Sequence, residues 1–219
     1  MALAFGRAGD SVMALYSADE RAAEELRVAM ATEKISGVVL RHDVRSGEAA
    51  IWSQPEIQSA ENLTLVNNAC AAFSPMPMHQ SSWQDFEDNF LVAVKGAWQC
   101  SRPLIRSMVK NGRGTIVNVL TSAVEEPPPK GFAAYVTAKH ALLGFTLALA
   151  AEYAGRGLKV FSVSPGYMET PLTERWDSRL REAIRANSRR ITIPAEAAAR
   201  IVELVKNQAT PGRGENHPL

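Results

Sequence analysis

Five short apolar runs recur along this chain, at residues 12–16, 38–40, 63–66, 116–120 and 159–163, and none alternates with polar residues. A strand with one wet face alternates, so such runs predict strands covered on both faces, as in a parallel sheet. Helical segments separate them. Residues 18–32 place Ala23, Leu26 and Ala29 or Met30 at helical spacing, and residues 85–110 predict a long helix bent near Pro103. Residues 133–153 predict a helix apolar over most of its surface, stopped by Gly155-Arg156-Gly157, and Pro194 opens a last helix reaching residue 207. Strands alternating with helices predict an α/β fold: a doubly wound parallel sheet, Rossmann-like, in three αβα layers. Without repeat, low-complexity tract or linker, residues 1–219 read as a single domain.

In such sheets ligands sit beyond the carboxyl ends of the strands. Polar clusters fall at those ends: Ser17, Arg41-His42-Asp43, Asn67-Asn68, Thr121-Ser122 and Ser164-Pro165-Gly166. Lys and Arg together number 24 against 23 Asp and Glu, so no basic stripe argues for nucleic acid or a polybasic membrane contact. No apolar run approaches the roughly 18 residues that span a bilayer. The start, MALAFGRAGD, lacks the pattern of a secretory signal. Cys70 and Cys100 have no metal-ligand spacing, which predicts free thiols in a reducing cytoplasm.

Tyr135 and Lys139, in the run YVTAK, carry the chemistry. Four residues apart near a helix start, they share one face. An ammonium beside the phenol favours the phenolate and lowers a tyrosine pKa from about 10. A tyrosine tuned in this way can protonate a carbonyl oxygen while hydride reaches the carbon. The pair alone is weak, arising by chance in roughly one such chain in eight. Its setting adds weight. Ser122 stands 13 residues before Tyr135, directly after a predicted strand, where a hydroxyl can donate to the substrate oxygen. The adjacent Thr121 offers a second hydroxyl.

The runs LVNNAC, IVNVLTS, YVTAK and VSPGYMETP, in this order and at these spacings, resemble the short-chain dehydrogenase/reductase family over nearly the whole chain. The resemblance implies an oxidoreductase that reduces a ketone or 3-oxoacyl carbonyl, a small-molecule carbonyl or alcohol substrate, and a nicotinamide cofactor. Tyr135 would be the general acid, Lys139 would hold the nicotinamide ribose and bias Tyr135 towards ionisation, and Ser122 would orient the carbonyl. Asn67, Asn68 and Ala69 would brace the sheet and line the cofactor cleft. Asp43 and Val44 would border the adenine, with a helix cap the alternative for Asp43. Pro165, Gly166 and Thr170 would contact the nicotinamide, with a plain turn the alternative for Pro165-Gly166. Ser17 at the second strand's end, with Arg21 beyond it, suits a 2′-phosphate and favours NADP over NAD, although Arg21 also reads as an ordinary exposed helix residue.

The chain also departs from the family. Members open with a strand and a TGxxxGxG loop whose amides cradle the pyrophosphate, and no GxxxGxG occurs here. Residues 1–5 instead match the helix that follows that loop. The missing strand belongs between the runs at 12–16 and 63–66, so its absence predicts two open apolar edges facing each other. The expectation drawn is that Met1 is an internal methionine of a longer protein, with a shortened, cofactor-free relative as the alternative. Cys70 replaces the glycine of NNAG, Ala93 stands where a helix asparagine is expected with Asn89 one turn earlier, and residues 214–219 read as a short polar remnant of a terminal strand.

The loop Glu125-Glu126-Pro127-Pro128-Pro129-Lys130 should border the substrate pocket, with Tyr167, Met168, Leu172 and Trp176 as an apolar lid or as core. The resemblance implies that the helices carrying Trp98 and residues 142–149 form a subunit interface, and hence a homodimer or homotetramer. A non-catalytic scaffold binding a partner or small molecule is the competing function.

Overall fold

A computed structural model of the chain describes residues 1–47, 50–207 and 212–219. Its helices are α1 (Ala2–Arg7), α2 (Glu20–Thr32), α3 (Pro55–Ser59), α4 (Trp83–Phe90), α5 (Gly96–Lys110), α6 (Ala133–Glu152), α7 (Pro171–Glu174), α8 (Ser178–Asn187) and α9 (Pro194–Lys206). Its strands are β1 (Val12–Tyr16), β2 (Gly37–Arg41), β3 (Thr64–Asn67), β4 (Gly114–Val119), β5 (Leu158–Ser164) and β6 (Arg213–Pro218). The five apolar runs are thus β1 to β5. The Asp19 carboxylate caps α2 by accepting the Ala22 N–H at 2.9 Å, and Pro194 sits in the first turn of α9 where its missing N–H costs nothing.

All strand pairs are parallel, but the strands form two sheets, β1–β2 and β3–β4–β5–β6. Successive residues of β4 point to opposite layers. Ile116 packs with Cys100, Leu104 and Met108 of α5, while Val117 packs with Phe5, Ile201 and Leu204 of α1 and α9. β1 and β3 contribute to both layers, through Met13, Leu15 and Leu65 on one side and Val12 and Val66 on the other. Yet every residue of β1 is only half-buried, whereas all six of β4 are buried. The predicted open edges are present, flanked above and below by apolar side chains.

Several expectations need correction. Pro103 lies inside α5, and the regular helix breaks earlier, at Leu91–Lys95, where the chain makes a π-turn. Phe90, Ala93, Val94 and Ala97, at ordinary helical spacing across this turn, all pack in one cluster with Leu142 of α6. The polar remnant at the end is a full strand, β6. Its Asn216 Oδ1 accepts from the hydroxyls of Ser162 (3.1 Å) and Ser164 (2.9 Å), so polar residues are satisfied beside β5. A side chain at Gly214 (φ +90°) would strike Leu147 of α6, and glycine allows that close approach. By length and composition alone, α6 is apolar enough to cross a bilayer, contrary to the sequence expectation. Here it packs on β5, β6 and the π-turn and carries Lys139 into the interior. The short α3, α7 and α8 were not anticipated.

Candidate active site

Four segments converge beyond the carboxyl ends of β3, β4 and β5: residues 68–77, residues 120–124, the turn at Pro165-Gly166 and the first two turns of α6. The Ser122 N–H donates to the Pro165 carbonyl at 2.8 Å, which ties the loops after β4 and β5 together. Below them a polar chain crosses the sheet. Asn67 Nδ2 donates to Asn118 Oδ1 (2.8 Å), and Asn118 Nδ2 donates to Thr146 Oγ1 of α6 (2.8 Å). Asn118 and Thr146 are wholly buried, so these bonds fix the strand register and the azimuth of α6.

Tyr135 and Lys139 lie on one face of α6, with the Lys139 ammonium 5.8 Å from the phenol ring centroid. Lys139 is 3 % exposed, and its Nζ donates to the Val119 carbonyl at 2.7 Å. The Thr121 side chain, two residues past the end of β4, lies close enough to the Tyr135 phenol to influence its pKa. Ser122 stands one residue on, opening a 3₁₀ turn for which Thr121 is the cap. Cys70 lies within electrostatic reach of both Tyr135 and Lys139.

Burial dominates the electrostatics here. It pushes the Tyr135 phenol well above its usual range, with Cys70 adding to the rise and the Thr121 side chain opposing it. It pushes the Lys139 ammonium below its usual range. The expected lowering of the tyrosine by its lysine is therefore overturned in the free protein. Lys139 spends a donor on Val119, and the desolvation of both groups outweighs their proximity.

An aromatic box walls the site. The Phe73 ring stacks on Tyr135 at 4.5 Å between centroids, tilted by 12°, with Phe132 and Trp176 edge-on to Phe73 at 5.3 Å each. Trp176 Nε1 donates to the Phe73 carbonyl at 2.7 Å, so the segment after β5 is pinned to the segment after β3. Trp176 is buried, which makes it core and lid at once, and Tyr167 packs in the same cluster. The Met76 N–H donates to Gly131 O (3.0 Å) at a glycine with φ +84°, where a side chain would strike Met76. Glu125 accepts from Asn216 and lies 3.8 Å from Arg190, so this end of the proline loop is tied to β6 rather than lining the aromatic box.

The remaining candidates scatter along the cleft. Ser17 is exposed at the end of β1, its carbonyl accepting from Arg41 Nε at 3.2 Å. Arg21 pairs with Glu25 on an exposed helix face. Asp43 grips Arg45 in a bidentate pair and caps no helix. Val44 packs against Gly96, where an added Cβ would meet its side chain at 2.8 Å. Asn68 and Ala69 are exposed. Gly166 N–H donates to Thr192, a side chain at Gly166 would collide with Arg190 O, and Thr170 caps α7. Asn89 donates to the Asp85 carbonyl of its own helix. Phe73 was missed, because a lone aromatic in a loop 103 residues from Trp176 leaves no sequence signal.

The layered parallel sheet, with a tyrosine, a lysine and a hydroxyl converging beyond its strand ends, defines a Rossmann-like oxidoreductase. The chain belongs to the short-chain dehydrogenase/reductase family: the short chain dehydrogenase profile matches residues 1–181. It is 29 % identical over 178 residues to an uncharacterised oxidoreductase, YohF, of Escherichia coli K12, covering 81 % of this chain and 70 % of that protein. It is 33 % identical over 155 residues to the 3-oxoacyl-[acyl-carrier-protein] reductase FabG of Vibrio cholerae, covering 69 % of this chain and 62 % of the relative. Among solved structures, one from Beutenbergia cavernae, assigned as an NAD(P)-dependent gluconate 5-dehydrogenase with bound NADP, superposes with a TM-score of 0.86. That match is 28 % identical and covers 99 % of this chain and 88 % of the other.

Proposed function

We propose that the protein reduces the carbonyl of a ketone or 3-oxoacyl compound to an alcohol with NADP(H). The observation that carries this is the convergence of Tyr135, Lys139 and a β4-end hydroxyl on one cleft. Tyr135 gives its proton to the carbonyl oxygen. Lys139 retains two N–H donors beyond the one taken by Val119, which suits the hydroxyls of a nicotinamide ribose. The cofactor, when bound, supplies the hydride. Its positive nicotinamide-side neighbour, Lys139, then offsets the burial that raises Tyr135 in the free protein. Ser122, which opens the 3₁₀ turn after β4, orients the carbonyl, with the adjacent Thr121 hydroxyl as the alternative.

The described residues fit the nicotinamide end of the cofactor, and Ser17, Asn68 and Ala69 stand at the ends of β1 and β3. A cofactor-deficient scaffold is the second reading. The bound NADP of the gluconate dehydrogenase neighbour and the 3-oxoacyl substrate of the Vibrio relative support the first. Free thiols at Cys70 and Cys100 suit a reducing cytoplasm. The exposed Trp83 (75 %) and Trp98 (46 %), lining a groove with Phe90 and Phe145, support a homodimer or homotetramer.

Consumption of NADPH with 3-oxoacyl and simple ketone substrates tests the assignment. Tyr135→Phe should cut turnover by about 10²-fold or more while leaving NADPH affinity in place. Full turnover in that variant would remove Tyr135 from the mechanism, and wild-type protein that binds no NADPH by calorimetry would favour the scaffold.

A further inference from the structure

In the reductase reading Tyr135 protonates a carbonyl beyond the strand ends, so its hydroxyl must hold a fixed place relative to the sheet and not only to α6. Among the described residues, the aromatic and cation contacts to its ring come from Phe73, Phe132 and Lys139. Phe132 stands at the start of α6 and Lys139 one turn beyond Tyr135, so both ride on the helix that carries the tyrosine. They move with it and leave the ring free to swing against the sheet. Phe73 reaches it from the segment after β3. Its ring lies 4.5 Å from the phenol ring between centroids and within 12° of parallel, covering one aromatic face. Phe73 itself lies outside every helix and strand, so its place is set by ties to other segments. Its carbonyl accepts from Trp176 Nε1 at 2.7 Å, and its ring meets Phe132 and Trp176 edge-on. Three residues on, the bond from Met76 N–H to Gly131 O joins the same segment to the turn before α6. Trp176 is buried, and its backbone N–H donates to Thr173 O at 3.1 Å, which anchors it in the segment after β5. The setting of the phenol thus follows from a chain of contacts, Trp176 to Phe73 to Tyr135.

We propose that Phe73 is a positioning residue for the reduction: held by Trp176, it fixes the tilt of the Tyr135 ring and keeps water from one of its faces. The inference rests on the reductase reading of Tyr135 and deepens it. A ring against the phenol restricts the hydroxyl to the arc from which it reaches the carbonyl, and a displacement of about 1 Å is enough to cost roughly 10²-fold in rate. Excluding water also favours the protonated phenol, which is the form that donates. Phe73 acts through Tyr135 and transfers no proton itself.

The test compares Phe73→Ala, Phe73→Tyr and Trp176→Phe in the whole chain, each checked for folding by circular dichroism. Phe73→Ala should lower kcat by about tenfold or more, with the Kd for NADPH in calorimetry within about twofold of the wild type. Phe73→Tyr keeps the stacked ring and should restore most of that loss. Trp176→Phe keeps a buried ring but deletes the donor to the Phe73 carbonyl, and should lower kcat by about threefold. A second readout needs no turnover: the ionisation of Tyr135, followed by tyrosinate absorbance as the difference from Tyr135→Phe protein. Tyr135 should show no ionisation up to about pH 11 in the wild type and be part-ionised by that pH in Phe73→Ala, because water then reaches the phenol. Wild-type kcat in Phe73→Ala, or an equal loss in Phe73→Tyr, overturns the proposal. So does a Tyr135 titration that Phe73→Ala leaves unchanged. If Phe73→Ala does not fold, Trp176→Phe decides, and an unchanged kcat there overturns the proposal. Absence of turnover in the wild type would instead sink the reductase reading, and the titration alone then decides whether Phe73 governs Tyr135.

Discussion

Lys139 shows how far this site trades stability for chemistry. Burial lowers its pKa, so between the folded value and the unfolded value of about 10.5 the unfolded chain binds more protons. Stability from this residue therefore rises with pH towards 10.5 and is lost as pH falls. Tyr135 acts in the other direction: its folded pKa is raised, so its contribution is intact below about 10 and is lost as pH rises beyond it. Replacing Lys139 by methionine should abolish turnover yet raise the urea midpoint at pH 7, with a gain of about 1 kcal/mol that shrinks by pH 9.5. An unchanged pH dependence in that variant would mean the ammonium is solvated. The same assay separates Ser122 from Thr121. Ser122→Ala should lower kcat by about 10²-fold, and Thr121→Val by only a few-fold, in an NADPH assay. The Tyr135–Lys139 pair was legible in the sequence because α-helical spacing is local. The choice of hydroxyl was not, because it depends on where β4 ends, and neither was Phe73, whose contacts come from distant segments.

At the scale of elements, the apolar runs named β1 to β5 because strands buried between two helical layers need no polar face. β6 escaped notice for the opposite reason. Its polar side chains, Asn216 foremost, are matched by Ser162, Ser164 and Glu125, and such matching is invisible until β5 and β6 lie side by side. The π-turn at Leu91–Lys95 was likewise hidden, since one extra residue leaves the apolar pattern on either side intact. The stop signal after α6 was readable, and its geometry is strict. Gly157 has φ +77°, and an added Cβ would sit 2.0 Å from Gly112 O, so the turn into β5 crosses the turn into β4 with no room to spare. Gly157→Ala should destabilise the protein by about 2 kcal/mol or more in urea unfolding, while Gly155→Ala, with open space around it, should cost about 1 kcal/mol.

For the whole molecule, the apolar groove along α4, α5 and α6 is the surface on which association should depend. Trp98→Glu should shift the protein to monomer in light scattering with its circular dichroism unchanged, because Trp98 is exposed and its loss leaves the core untouched. The division of the strands into two sheets has a mechanical meaning as well. A continuous sheet carries shear through its ladder of directional bonds, one strand to the next. Among the described residues no ladder joins β1 to β3, and force passes through side-chain packing and the Lys206–Asp10 ion pair of 2.6 Å. Packing resists separation but scarcely resists sliding, because it is not directional. Among the described residues, the β1–α2–β2 unit is thus held to the four-stranded sheet by packed side chains and one ion pair rather than by a ladder.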